Sequence, residues 1–260
     1  MIVVQDLSKA FVQGRGRRAR PVQAVDRVSF TAPDARITGL LGPNGAGKTT
    51  TLRMAAALIV PDSGSVQVDG IEVAARPAAA LARMGVLSDA KGLSTRLTAR
   101  ENIVYYARLH GMTREAAHAR AEVLAQVLEM DGLLDRRTEG FSQGERMKTA
   151  LARALVHDPP NIVLDEPTNG LDVLATRALR EALRRLRDEH GKCIVFSTHI
   201  MQEVERLCDE VVVIAGGRTV ASGSVQALCA HTGHADFEDA FVALAFPAGP
   251  ALPPRLEEAA

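Results

Sequence analysis

The chain contains, at residues 42–50, the run Gly42-Pro43-Asn44-Gly45-Ala46-Gly47-Lys48-Thr49-Thr50. This run matches the phosphate-binding loop (P-loop) pattern G-x-x-x-x-G-K-[ST], whose glycines let backbone N–H groups surround an anion. We expect Lys48 to neutralise the β- and γ-phosphates and the Thr49 hydroxyl to bind Mg²⁺. An apolar, strand-like run precedes the loop and a helix-forming run follows it. Because a helix N-terminus points free N–H groups at a phosphate, the sequence predicts a nucleotide-binding strand–loop–helix unit.

The composition restricts the class of protein. The chain has 260 residues, which suits one large domain or two small ones. Lys plus Arg and Asp plus Glu each number 31, so the balance gives no indication of extensive nucleic-acid binding. The three cysteines, Cys193, Cys208 and Cys229, are far apart and form no C-x-x-C motif, so neither a zinc site nor a disulfide framework is indicated. A reducing cytosol is the compartment that fits this cysteine content.

The sequence also predicts no direct membrane span. The first residues lack the basic and apolar regions of a signal peptide. The longest clearly apolar run, Met54–Val60, is much shorter than the roughly 20 residues that a spanning helix needs. We therefore expect a chain that is soluble by itself and reaches a membrane only through a partner.

Hydrophobic patterns along the chain predict an alternation of strands and helices. Apolar runs predict strands at Ile2–Val4, Val28–Phe30, Ile37–Leu40, Ile162–Leu164, Cys193–Ser197 and Val211–Ala215, and residues 60–75 resemble a small hairpin. The pattern is helical from about Arg83 to Leu155. A further helix is predicted over Leu174–His190, with Leu179, Leu183 and Leu186 buried and a Glu181–Arg185 pair outside. Continuous apolar strands of this kind favour a parallel sheet that is covered on both faces.

Two segments are predicted to lack regular structure. Between Gly14 and Pro21 lie four arginines, which indicates an exposed loop. A solvated hairpin tip and contact with anionic lipid headgroups or nucleic acid are both compatible with this composition. Residues 246–260 are rich in Pro and Ala, and we expect them to form a flexible C-terminal tail.

A second motif, Asn161-Ile162-Val163-Leu164-Asp165-Glu166, describes a buried strand that ends in an acidic pair. This is the Walker B pattern, in which the aspartate holds Mg²⁺, usually through water. Glu166 is then placed to orient or deprotonate an attacking water molecule. A strand that merely leads into a capped helix would look similar, but the preceding P-loop favours the metal-binding interpretation.

A third motif, Phe141-Ser142-Gln143-Gly144-Glu145, precedes a helical run. The Ser142-x-x-Glu145 spacing is a capping box, which predicts a helix beginning at Ser142. A capping box is common and has a purely structural role. The Ser142 hydroxyl and the Gly144 N–H could also form a second anion site, since the dipole at a helix N-terminus favours phosphate.

Taken in order, these motifs resemble those of the ATP-binding subunits of ABC transporters, and the resemblance covers residues 2–245. It implies an α/β fold with a P-loop NTPase core and a mainly parallel sheet, an N-terminal antiparallel β subdomain and an inserted helical subdomain at about residues 85–155. Residues 141–145 resemble the family signature, which contacts the ATP of a partner chain. The segment Gly170-Leu171-Asp172 resembles the D-loop, and Ser197-Thr198-His199 resembles the segment with the switch histidine.

The resemblance also assigns roles to two isolated side chains. Phe11 occupies the position of an aromatic residue that stacks on adenine, although packing in the core is an alternative for this ring. His199 follows the strand after Walker B, where a γ-phosphate contact is expected; a hydrogen bond within its own loop is the alternative. Together with Lys48 and Glu166, His199 is a candidate catalytic residue.

Two positions differ from the family pattern. In the signature, Gln143 replaces a glycine and Glu145 replaces a glutamine, whereas Ser142 and Gly144 are kept. In the Q-loop, aligned through residues 84–89, the expected glutamine is Asp89. Its carboxylate also offers oxygen to Mg²⁺, but it adds negative charge near a polyphosphate.

Within the family, the motifs are most similar to exporters paired with ABC-2-type permeases, and closest to NatA-type sodium-efflux subunits. The resemblance implies an ATPase on the inner face of the cell membrane, held there by an integral permease and working as a homodimer or heterodimer. Sequences of soluble ABC ATPases that act on ribosomes or DNA usually fuse two P-loop domains or insert a coiled coil, and neither is present here. A nucleotide-binding regulator without hydrolysis is a third alternative, which the presence of Glu166 and His199 disfavours.

Overall fold

The P-loop connects strand β3 (Ile37–Leu41) to helix α1 (Lys48–Ala55), as the sequence predicts. The structure is a computed structural model that describes residues 1–14, 20–88 and 92–246. Strand β3 lies inside a six-stranded sheet with the order β10-β9-β3-β8-β7-β6. The other five strands are β6 (Met84–Leu87), β7 (Asn161–Asp165), β8 (Cys193–Thr198), β9 (Glu210–Ala215) and β10 (Arg218–Gly223).

This central sheet is parallel except at one edge. Strand β3 pairs in parallel with β8 and β9, and β7 pairs in parallel with β8 and β6, whereas β10 is antiparallel to β9. Every residue of β3 and β8 is buried. The continuous apolar runs therefore belong to strands with both faces covered, as predicted. The carboxyl ends of β3, β7 and β8 lie side by side and carry the P-loop, Walker B and His199.

A second, antiparallel sheet has the strand order β2-β1-β4-β5. Its strands are β1 (Ile2–Gln13), β2 (Arg20–Ala32), β4 (Ser63–Val68) and β5 (Ile71–Glu72). Strands β1 and β2 are much longer than the three-residue runs predicted, because the ladder continues through exposed pairs such as Phe11 with Val22. Exposed pairing of this kind leaves little hydrophobic pattern in the sequence. The hairpin expected over residues 60–75 is present as β4 and β5.

The helical segment contains α3 (Ala99–Leu109), α4 (Arg114–Val127) and α5 (Gln143–Leu155). The prediction that helical structure starts near residue 85 is wrong for residues 85–87, because these belong to β6 and pair with β7. Four residues are too few for a strand to show its periodicity. The three helices pack around a shared apolar core that includes Ile103, Leu124, Met130 and Leu151.

The remaining helices cover the central sheet. They are α2 (Pro77–Leu81), α6 (Val173–Asp188), α7 (Met201–Leu207), α8 (Val225–Thr232) and α9 (Phe237–Ala245). In α6 the three predicted leucines are buried. The predicted Glu181–Arg185 pair is not formed: Arg184 is the partner of Glu181, and Arg185 instead reaches Glu129 beyond the helix.

Three sequence predictions fall wholly or partly outside the described residues. These are the arginine-rich loop at residues 15–19, the Q-loop residue Asp89 and the tail from residue 247 onward. Phe246, which was predicted to begin the tail, follows α9 and packs edge-to-face against Phe241. Among the described residues, no helix combines the length and the apolar character needed to cross a membrane.

Candidate nucleotide-binding site

The backbone of the P-loop forms the base of the site. Gly47 is the N-cap residue of α1, and no side chain caps this end of the helix. Gly45 and Gly47 have positive φ angles of 81° and 102°, a region that favours glycine. A Cβ at Gly47 would lie 2.5 Å from the carbonyl oxygen of Ala24, so a side chain does not fit there. The loop therefore presents the free N–H groups of a helix N-terminus, which is the environment that binds phosphate.

Lys48 extends from the first residue of α1 back along the loop and is 4% exposed. Its Nζ donates hydrogen bonds to the carbonyl oxygens of Gly42 (2.7 Å) and Pro43 (3.1 Å). Burial lowers the pKa of Lys48, and the nearby carboxylates of Glu166 and Asp165 act in the opposite direction. Glu166 Oε1 is 3.9 Å from the ammonium. The hydrogen-bond partners of the ammonium are thus neutral carbonyls, and the nearby carboxylates offset only part of its positive charge. This arrangement suits a site for polyphosphate.

Two of the predicted metal ligands are brought together: Thr49 lies in the first turn of α1, and Asp165 is the last residue of β7. The Thr49 hydroxyl donates to Asp165 Oδ1 over 2.9 Å, although the two residues are distant in sequence. The Ser197 hydroxyl, at the end of β8, donates to the same oxygen over 2.6 Å. These are oxygen ligands, the type that Mg²⁺ prefers, and they lie beside the P-loop. Among the described residues no cluster of three or more His, Cys, Asp or Glu side chains that could hold a metal ion occurs.

Glu166 lies directly after β7 in a left-handed backbone conformation, with φ of 45°. Its N–H donates to the Ser197 hydroxyl over 3.0 Å, which helps to hold this unusual turn. On the other side, His199 Nδ1 lies 3.4 Å from Glu166 Oε1. The structure therefore places Glu166 and His199, two of the three candidate catalytic residues, side by side just beyond the ends of β7 and β8.

An open cleft of about 330 Å³ lies above the P-loop. Its lining residues come from the antiparallel sheet, the P-loop, the start of α1 and the Walker B turn: Phe11, Ala24, Asn44, Gly45, Ala46, Gly47, Lys48, Thr49, Thr50 and Glu166. The Phe11 ring is 41% exposed, so it is not a core side chain. It lies at the rim of the cleft, where the flat face of a base could stack on it.

The residues present fit ATP and a divalent cation. The free N–H groups and the buried lysine can bind a triphosphate. The exposed aromatic ring at the rim can stack on a base. The two adjacent oxygen ligands are of the type that binds Mg²⁺. Asp89, the third predicted metal ligand, is outside the described residues, and its role stays a prediction.

The signature segment lies at the start of α5 and shows the predicted capping box. The Ser142 hydroxyl accepts a hydrogen bond from the Glu145 N–H (3.2 Å), and the Glu145 carboxylate accepts one from the Ser142 N–H (2.7 Å). This second bond lowers the pKa of Glu145, and Arg136 at 3.0 Å acts in the same direction. None of the residues that line the described P-loop cleft belongs to this segment.

The D-loop residue Asp172 caps the next helix. Its Oδ1 accepts a hydrogen bond from the Ala175 N–H over 2.8 Å, which fixes the start of α6. This capping role was not predicted from the sequence, although an Asp directly before a helical run is the usual signal for it.

Two further polar residues near the site were missed by the sequence analysis. Ser197 was assigned only to the switch segment, yet it contacts both Asp165 and Glu166. Glu203 is buried in α7 and accepts a hydrogen bond from the Thr198 hydroxyl over 2.9 Å, next to His199. No local motif distinguishes these residues, because their partners come from distant parts of the chain.

A comparison with protein families decides the identity of the domain. Residues 25–169 match the family model described as ABC transporter. This chain belongs to the ABC transporter ATP-binding family. The resemblance inferred from the motifs is confirmed, and as a member of this family the chain is an ATPase whose hydrolysis is coupled to transport.

Similar proteins agree with this assignment. The chain is 43% identical over 229 residues to the ABC transporter ATP-binding protein NatA of Bacillus subtilis (strain 168), which spans 88% of this chain and 91% of NatA. It is also 43% identical over 204 residues to the Nod factor export ATP-binding protein I of Burkholderia lata, spanning 78% of this chain and 67% of that protein.

Solved structures confirm the predicted fold class. A structure described as the ATP-binding subunit of an ABC transporter superposes with a TM-score of 0.79 at 28% identity and covers 94% of this chain and 98% of its own. The bacterial cassette MJ0796, solved as a dimer, superposes with a TM-score of 0.77 at 24% identity and covers 86% of this chain and 98% of its own.

Proposed function

We propose that this chain is the ATP-hydrolysing subunit of an exporter and acts with a separate integral membrane permease of the ABC-2 type. The observation that carries the proposal is the cluster at the strand ends, where Thr49 and Asp165 lie beside Glu166 and His199 on a P-loop cleft. Such a cluster suits phosphoryl transfer to water, in which catalysis is mostly positioning and charge stabilisation.

In the proposed reaction, the triphosphate lies on the P-loop N–H groups, and Lys48 leaves its two carbonyl partners to contact the β- and γ-phosphates. Thr49 and Asp165 would hold Mg²⁺, which neutralises charge that develops on the phosphate oxygens. Glu166 orients a water molecule and accepts its proton as the oxygen attacks the γ-phosphorus and the bond to the β-phosphate oxygen breaks. His199, beside Glu166, donates a hydrogen bond to the γ-phosphate.

The proposal includes a dimer with two shared ATP sites. The part of the chain that the structure describes has one P-loop, and the signature segment lies outside the cleft above it. The exposed N-terminus of α5, with Ser142 and Gly144, is free to contact the ATP of a partner chain. The partner is a second copy of this chain or a related ATPase subunit, with ATP held between them.

The names of the relatives support a proposal for the direction of transport and for the location. NatA and the Nod factor export protein are both named as ATP-binding proteins, and export is the direction given in the second name. We propose sodium as the first cargo to test, because the similarity to NatA spans most of both chains. The chain is then a peripheral protein on the inner face of the cell membrane. A role on ribosomes or DNA is the alternative, which the zero net charge does not favour.

The proposal can be tested by purifying the chain with a candidate ABC-2-type permease and reconstituting both in liposomes. We expect ATP hydrolysis to be stimulated by the permease and ATP to drive cation movement, with sodium and potassium compared directly. Glu166→Gln should abolish both activities, whereas Glu205→Gln, the same change at an exposed site on α7, should leave them intact. ATP hydrolysis without any response to a permease, but with stimulation by ribosomes or DNA, would favour the alternative.

A further inference from the structure

Gln143, the signature residue that differs from the family pattern, makes a specific contact with another segment of the same chain. Its Nε2 donates a hydrogen bond to the carbonyl oxygen of Asn169 over 3.0 Å. The neighbouring residue, Gly170, has a φ angle of 75°, and a Cβ there would lie 2.4 Å from the same Nε2. The loop thus has a glycine at the position where the glutamine side chain lies against its backbone.

The contacted loop connects the catalytic strand to the D-loop. The Asn169 N–H donates to the Glu166 carbonyl over 3.1 Å, and the Leu171 N–H donates to the Thr168 carbonyl over 3.0 Å. The carbonyl held by Gln143 therefore lies within a turn that begins at Glu166. Three residues after Asn169 comes Asp172, the N-cap of α6.

A second contact joins the same two segments. A Cβ at Gly144 would lie 2.9 Å from the Ala175 side chain, so the start of α5 packs closely on the first turn of α6. Next to this contact, Val173 and Leu174 are 81% and 78% exposed. The exposed start of α6 and the exposed Ser142 consequently lie side by side on one surface.

We propose that Gln143 is a positioning residue that fixes the Asn169–Asp172 loop against the start of α5. This contact fixes the positions of Ser142 and Asp172 relative to each other before the two chains associate. Both residues therefore belong to one preorganised surface that meets the partner chain. The inference rests on the proposed function, since it requires that this surface meets a partner chain with ATP between them. A glycine at position 143, as in the usual signature, has no side chain to make this contact.

The test uses ATP-driven dimerisation in a background that does not hydrolyse ATP. Gln143→Met keeps the length of the side chain and removes the donor, and Gln143→Glu keeps the shape but presents only acceptors to a carbonyl. The matched control is Gln126→Met, the same change at an exposed position of α4. Each variant is combined with Glu166→Gln and followed by light scattering across ATP concentrations. Binding of a fluorescent ATP analogue to the monomer and the melting temperature are measured in parallel.

We expect both Gln143 variants to weaken dimerisation by about 2- to 12-fold for each chain, the range for loss of one hydrogen bond. Monomer nucleotide affinity and melting temperature should match those of Gln126→Met. A purely structural role would instead lower the melting temperature without changing dimerisation. Amide hydrogen exchange of the monomer should also be faster at residues 169–175 in Gln143→Met.

The outcomes separate this inference from the proposed function. If Glu166→Gln alone dimerises with ATP and the Gln143 variants dimerise equally well, the positioning role is wrong while the shared ATP site survives. If Glu166→Gln alone stays monomeric at saturating ATP with its permease present, the shared site fails and the role of Gln143 fails with it.

Discussion

At the scale of single residues, the unusual property of the site is a lysine ammonium that is buried against carbonyl oxygens. Nζ of Lys48 is held by Gly42 and Pro43 within the loop that it serves. An ammonium in this position loses its hydration, and the carboxylates of Glu166 and Asp165 only partly offset that loss. The pKa of Lys48 is therefore lowered. Binding of an anion would therefore relieve an unfavourable electrostatic arrangement.

The first prediction concerns this lysine. Lys48→Ala removes the charge but keeps most of the P-loop N–H donors, so ATP affinity should fall and turnover should be nearly abolished in a folded protein. Steady-state hydrolysis and far-UV circular dichroism measure the two properties. Lys148→Ala, which removes a lysine that donates a hydrogen bond to the Glu129 carbonyl, is the control. Hydrolysis near the wild-type rate in Lys48→Ala would show that the P-loop assignment is wrong.

The second prediction concerns Ser197, which bonds to both members of the acidic pair. Ser197→Ala removes a donor to Asp165 and an acceptor for the Glu166 N–H. We expect kcat to fall about 10-fold or more, because Glu166 loses support for its left-handed turn and misplacement of a base is costly. ATP affinity should change little, since the P-loop is intact. Ser222→Ala, on an exposed position of β10, is the control, and equal kcat in both variants would refute the role.

At the scale of elements, the capping box at the start of α5 links stability to pH. Hydrogen bonding to the Ser142 N–H, helped by Arg136, lowers the pKa of Glu145 in the folded chain. A group whose pKa is lowered by folding stabilises the fold above its unfolded pKa, about 4.3, and this stabilisation is lost as pH falls through the folded value.

The third prediction follows from that linkage. Glu145→Gln restores the usual signature residue, keeps a capping acceptor and removes the titration. Urea unfolding should show a smaller loss of stability in this variant than in wild type as the pH falls from about 5 to about 3, the range that spans the unfolded pKa and extends below it. The same change at an exposed position of α7, Glu205→Gln, is the control. An identical slope for Glu145→Gln and wild type would show that the carboxylate bond contributes nothing.

The elements that the sequence predicts well are those in which a local pattern coincides with burial. Branched apolar runs and a capping box can be recognised in the sequence without knowing which residues they contact in the fold. This group consists of the P-loop, β3, β7, β8, α6 and the start of α5. The lengths of β1 and β2 were underestimated since their distal pairs are exposed, and β6 was missed because four residues carry too little pattern.

The candidate site shows the same division between local and distant information. Lys48, Thr49, Asp165 and Glu166 are predicted by motifs whose residues are neighbours in sequence. The roles of Ser197 and Glu203, and the contact of Gln143 with Asn169, depend on side chains that come together only when the strands and helices pack. The spacing of residues within one segment cannot predict contacts of this kind, because the two partners lie in different segments.

At the scale of the whole molecule, hydrolysis should control assembly. Glu166→Gln has nearly the shape of the wild-type side chain but cannot accept the proton of water, and general-base assistance is typically worth roughly 10²–10⁴ in rate. Binding should survive, because the P-loop, Thr49 and Asp165 are unchanged. ATP would then persist between two chains.

The fourth prediction is therefore a stable dimer of Glu166→Gln with Mg²⁺ and ATP, seen by size exclusion, where wild type is mostly monomeric. ADP should not support the dimer, because it lacks the γ-phosphate that we propose the signature of the partner to contact. Glu205→Gln should behave as wild type. Normal turnover by Glu166→Gln would exclude Glu166 as the base.

The position of Phe11 at the rim of the cleft has an optical consequence. The sequence contains no tryptophan and only two tyrosines, so the protein has almost no intrinsic emission at tryptophan wavelengths. Phe11→Trp would introduce a single indole on the half-exposed part of β1, directly above the P-loop. Stacking of a purine on that indole should quench its fluorescence, which turns the architecture of the cleft into a real-time reporter of nucleotide arrival and release.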